Sequence, residues 1–115
     1  MKATLTTLLL LITLTAFSQT VRSNYNETFD SRTFKYEYNE ERVTFKIDLE
    51  YKEVLIIFEN DQLFLDIISF NSPTEMSCIN SINDDYYIFE VIQDEKQIIL
   101  YNASTKVLTT YYIGL

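Results

Sequence analysis

The chain has 115 residues, a formal net charge of −8 and no histidine. The missing His removes the usual general base near neutral pH, the Ser-His and Cys-His nucleophile pairs, and His-based metal sites. One cysteine, Cys78, builds neither an intramolecular disulfide nor a thiolate metal site, and the two expectations left for it are a free thiol or a bridge to another chain.

Residues 1–18 read as a signal peptide. Lys2 precedes the uncharged run Leu5 to Leu14, and Ala16-Phe17-Ser18 places small residues at the two positions a signal peptidase reads. A membrane span needs about 20 apolar residues, and this run is short and diluted by Thr. The ending Phe17-Ser18-Gln19 resembles export signals of some Gram-negative bacteria, so the expected location is secreted or periplasmic. Cleavage after Ser18 removes Lys2 and leaves 8 basic against 17 acidic residues, a net charge of −9. That balance disfavours nucleic acid and, once the signal is gone, a membrane surface, since both recruit Lys/Arg clusters.

Residues 19–32 are polar and aperiodic and are expected to form a loose N-terminal arm with at most a weak strand near its end; 33–115 are expected to form one β domain. Phe34, Tyr36 and Tyr38 alternate with Lys35 and Glu37, and Val43, Phe45, Ile47 and Leu49 alternate with Thr44, Lys46 and Asp48. Each set reads as a strand with one dry and one wet face, with Asn39 to Arg42 as the turn between them. Val54 to Phe58, Leu63 to Phe70, Tyr86 to Gln93, Gln97 to Asn102 and Val107 to Ile113 complete seven strands rich in β-branched and aromatic residues. The short connections imply antiparallel hairpins. With a single Gly, Gly114, positive-φ turn positions are expected at Asn60, Asp61, Asp94 and Asn102. Ser72-Pro73-Thr74-Glu75 matches a capping box and predicts a short helix over 73–79. The expected fold is all-β with one short helix: an antiparallel meander of about seven strands, as a small barrel or a two-layer sandwich.

Asp66 and Glu90 each interrupt an apolar strand and are the one carboxylate pair that could serve a hydrolase; on the outer faces of their strands they would only be solvated charge. Asn80, Asn83, Asp84 and Asp85 offer oxygen ligands but match no calcium-loop spacing, and no metal or cofactor is expected. Tyr86-Tyr87 and Tyr111-Tyr112 must each send one ring to either face of the sheet. Together these features predict a non-catalytic domain that binds a protein with a basic surface. Glu37, Asp48, Glu50 and Glu59 would supply charge, and Tyr86 and Tyr112 contact area. The alternatives are a barrel carrying an apolar ligand, with 73–79 as its lid, and a carboxylate-dependent hydrolase. Self-association into a homo-oligomer is compatible with all three.

Overall fold

The computed structural model describes residues 19–113. The expected signal peptide lies outside the described residues. Eight strands follow one another as a meander: β1 (Gln19–Asp30), β2 (Lys35–Asp48), β3 (Glu53–Ile57), β4 (Gln62–Phe70), β5 (Glu75–Ile79), β6 (Tyr86–Ile92), β7 (Gln97–Asn102) and β8 (Val107–Ile113). Each pairs antiparallel with its sequence neighbours, and β8 returns to β1 to close a barrel.

Eight strands enclose a space that side chains alone can fill. Val43, Phe45, Ile47, Val54, Ile56, Leu65, Ile67, Cys78, Phe89 and Ile98 point inward from successive strands and are buried. At the centre the Phe45 ring meets Phe89 at 6.0 Å and Tyr111 edge-on at 4.9 Å. Of the two tyrosine pairs, Tyr87 and Tyr111 face in and are buried, while Tyr86 is exposed and Tyr112 half-buried.

The structure corrects four expectations. First, Gln19–Asp30 is no arm; it is strand β1, bonded to β2 on one side and β8 on the other. Apart from Val21 its inward positions are polar, and its register shifts between Ser23 and Tyr25, so it shows no apolar period. Ser23 and Asn26 are buried, Asn39 donates its amide to Asn26 Oδ1 at 3.1 Å and to Thr28 Oγ1 at 3.4 Å, and Ser23 Oγ donates to the Tyr25 carbonyl at 2.9 Å.

Second, 73–79 is not a helix. Ser72 Oγ does accept from the Thr74 and Glu75 N–H groups, at 3.2 and 3.1 Å, but these bonds close the turn between β4 and β5. Ser and Thr hydroxyls make such local bonds in turns as readily as at helix starts. The alternation of buried Met76 and Cys78 then decides for a strand paired on both sides.

Third, Asn39 to Arg42 is no turn; β2 runs through it without a break. Fourth, the positive-φ residues are Phe34, Lys52, Asp84, Lys96 and Lys106. In three hairpins the left-handed position is the last loop residue, which is a lysine. Asn102 works instead through its side chain, its Oδ1 accepting from Ser104 N at 2.9 Å and Thr105 N at 3.1 Å.

Candidate functional site

The meander places the β1–β2, β3–β4, β5–β6 and β7–β8 turns at one end of the barrel, here the upper end. The β2–β3, β4–β5 and β6–β7 turns lie at the lower end. Three regions have the makings of a site: the outer wall of β8, β1 and β2, the upper mouth, and the acid-bearing outer wall of β2 to β6.

On the first wall, register fixes which side chains share the outer face. Tyr112 stands opposite Tyr25, and Tyr25 opposite Glu40. Thr110, Glu27 and Tyr38 form the next row, and Leu108, Phe29 and Tyr36 the one above it. The rings are in mutual contact: Tyr25 stacks on Tyr112 at 4.8 Å and meets Tyr38 at 5.6 Å, while Phe29 meets Tyr36 at 5.5 Å and Phe34 at 6.4 Å. Phe34, Tyr36 and Tyr38 nevertheless stay 82%, 69% and 60% exposed. These rows hold two carboxylates and no Lys or Arg. The Tyr112 hydroxyl is pushed up by partial burial and then by Glu27, to whose carboxylate it donates a hydrogen bond. Tyr38 is pushed up by burial among its neighbours, then by Glu40, Tyr25 and Glu27. Glu27 is therefore a negative charge ringed by phenols, an arrangement that attracts a cation through both the carboxylate and the ring faces.

The upper mouth holds a cleft of about 550 Å³. Its floor is Tyr87 and Leu100, and its rim includes Asn80, Asn83, Asn102 and Asp61. Asn102 Nδ2 donates to the Tyr87 hydroxyl at 3.1 Å. Burial pushes the Tyr87 hydroxyl up, Asp85 adds to this, and the Asn102 bond opposes it. Charged, amide and hydroxyl side chains outnumber the apolar Phe58, Leu63, Leu100 and Val107 here, whereas a carrier of apolar molecules wants a lining mostly of Phe and Leu.

On the third wall Asp48, Glu53 and Asp66 stand side by side across β2, β3 and β4, and Glu75 stands opposite Glu90. Like charges directly opposite one another are unfavourable in a sheet. Asp66 and Glu90 sit two strands and four register positions apart, on the order of 15 Å, on a convex outer surface. A glycosidase-like pair needs about 5 to 10 Å across a cleft. Asn80 and Asn83 spend their side-chain oxygens on the Ile82 and Asp85 N–H groups, both at 2.9 Å. Among the described residues no group of three His, Cys, Asp or Glu could hold a metal ion.

The six residues expected to bind a partner do not come together. Glu37 lies on the inner side of β2 in a small hollow of about 130 Å³ with Asp30 and Lys35. Asp48 and Glu50 are at the lower end, where Asp48 Oδ1 accepts from Tyr51 N at 3.1 Å. Glu59 is in the β3–β4 turn, its Oε2 accepting from Arg42 N at 3.4 Å. Tyr86 is exposed on β6, and only Tyr112 belongs to the aromatic wall. Sequence pattern alone puts that wall's other members in an arm (Tyr25, Glu27, Phe29) or on a dry face (Phe34, Tyr36, Tyr38). The signal for them was parity: Val43, Phe45 and Ile47 are odd-numbered, Tyr36 and Tyr38 even, and no Gly or Pro stands between. Compared with protein-family models, curated proteins and solved structures, the chain matches none.

Proposed function

We propose that this is an exported, non-catalytic domain that binds a protein partner with a basic surface, using the outer wall of β8, β1 and β2. The observation that carries the reading is the exposure of Phe34, Tyr36 and Tyr38 around Glu27 on a face whose rows contain no basic residue. An exposed aromatic surface has a cost in water, and aromatic residues are what interface centres are built from. The charge of −9 over residues 19–115 steers a basic partner toward any face, and Glu27 and Glu40 favour a cation on this one. Export rests on Lys2, the Leu5 to Leu14 run and Ala16-Phe17-Ser18. The filled interior and the amide-rich mouth weigh against an apolar-ligand carrier, and the separation of Asp66 from Glu90 weighs against a hydrolase.

The test is affinity capture from the extracellular or periplasmic fraction with the native chain and with a Tyr36→Ser/Tyr38→Ser variant. A basic protein held by the first and released at least tenfold faster from the second, which folds normally, supports the reading. Capture of only neutral or acidic proteins, or equal retention by both, contradicts it. Mass spectrometry of the exported chain should find a new N-terminus near Gln19, and intact Met1 would contradict export by cleavage.

A further inference from the structure

β2 is much longer than its neighbour β3, and the mismatch leaves an edge open. β2 pairs with β1 down to Lys35, but β3 pairs only with Thr44 to Asp48. Among the described residues no strand pairs with the other side of Lys35 to Glu41, and the Arg42 N–H below it is taken by Glu59. Lys35 to Glu40 keep an unbroken register with β1, which shifts at Glu41 and Arg42; the stretch is as long as a typical strand, and alternate residues turn their N–H and C=O groups to the free side. Tyr36, Tyr38 and Glu40 flank the edge on the outer face. Glu37 and Glu41 flank it on the inner face, where Glu41 lies near enough to Tyr111 to disfavour ionisation of its phenol. Glu40, Glu41 and Glu59 meet around a hollow of about 250 Å³ at the lower end of the edge.

We propose that an extended basic segment of the partner protein adds to this edge as a ninth strand, paired along Lys35 to Glu41. The inference rests on the proposed function and names the form in which the partner arrives. Main-chain bonds would supply affinity, and alternate side chains would read the two faces, as in other strand additions. The charge argues for a basic occupant. Glu27, Glu37, Glu40, Glu41 and Glu59 surround the edge against Lys35 and Arg42, so Lys or Arg at either parity of the incoming strand meets a carboxylate. Outward cations also lie across the Tyr36 and Tyr38 rings. A second copy of the chain matches less of this charge. Antiparallel pairing of Lys35 to Glu41 with itself sets Lys35 opposite Glu41 but leaves Glu37 opposite Asn39 and Glu40 opposite Tyr36, without a cation.

Hydrogen exchange read by NMR on residues 19–115 tests this, with three ten-residue probes at millimolar concentration. One is an alternating Lys/Thr peptide, the second has the same sequence N-methylated at every other residue, and the third has Glu in place of Lys. The Lys peptide should slow exchange of edge-facing amides in Lys35 to Glu41 at least tenfold. N-methylation or the change to Glu should weaken binding at least tenfold. Equal binding of the first two probes would overturn strand addition while leaving a charged aromatic face intact. No protection by the Lys peptide would overturn the inference, and the captured partner's dependence on Tyr36 and Tyr38 would then decide the proposed function separately. A dimer in sedimentation that buries the same amides without any probe would also overturn it.

Discussion

The two halves of β2 carry opposite patterns on one continuous pleat. In the lower half Val43, Phe45 and Ile47 point inward and are buried, while Thr44 and Lys46 face out. In the upper half the large rings Tyr36 and Tyr38 face out, and Lys35, Glu37 and Asn39 take the inward side. Parity never changes along the strand, so the apolar period shifts by one residue between the halves. A one-residue shift in pattern moves every side chain to the other face. One half of the strand builds the core, and the other displays aromatic surface next to an unpaired edge.

The largest effect should come from breaking the inward half. Phe45→Ala removes a ring in contact with Phe89 and Tyr111 and should cost about 3 to 5 kcal/mol by denaturant unfolding. Tyr38→Ala, on the same strand but 60% exposed, should cost under about 1 kcal/mol, and Lys46→Ala under about 0.5. A Tyr38 loss approaching that of Phe45 would mean the upper face is core after all.

The interior should also announce itself at alkaline pH. Burial, reinforced by Asp66, pushes the Cys78 thiol from 9.0 up to about 12. The folded state therefore holds a proton that the unfolded chain releases once pH passes 9.0. Stability is fully present below that pH and falls as pH climbs toward about 12. Tyr111, pushed up by burial and then by Glu41, acts in the same direction above 10. Cys78→Ala should flatten the early part of this decline in pH-dependent melting, and native Cys78 should resist thiol reagents at pH 8. An unchanged slope or fast labelling would contradict a sealed interior.

The smallest effect concerns the turns. A left-handed conformation costs a non-glycine residue about 1 to 2 kcal/mol, against about 0.5 to 1 for the extra freedom of Gly in the unfolded chain. Lys96→Gly, at φ 53°, should then raise stability by about 0.5 to 1 kcal/mol, while Asn60→Gly, outside the positive-φ set, should bring none. Equal responses at the two sites would contradict the turn geometry.

The all-β class, the meander and most strand ranges from Val43 onward were readable because inward residues there are apolar at period two. β1 was not readable, since its buried Ser23 and Asn26 are satisfied by side-chain and backbone hydrogen bonds rather than by apolar contact. β5 was hidden by Ser72, whose bonds to Thr74 N and Glu75 N mimic a helix cap inside a tight turn. The site was the least readable part. An amphipathic aromatic run shows which residues share a face, and only the neighbouring strands decide whether that face is covered. β3 is too short to pair with the upper half of β2.

The most direct measurement of the central claim is the association rate of the captured basic partner at 0.01 and 0.15 M salt. The Debye length falls from about 30 Å to about 8 Å over that range, so the native rate should drop about tenfold while dissociation changes little. A Glu27→Gln/Glu40→Gln variant should start slower and respond less to salt. Neutralising Asp48 and Glu50, at the lower end of the barrel away from this wall, should lower the rate by a smaller factor. Rates indifferent to salt, or a larger loss from Asp48 and Glu50 than from Glu27 and Glu40, would contradict docking on the outer wall of β8, β1 and β2.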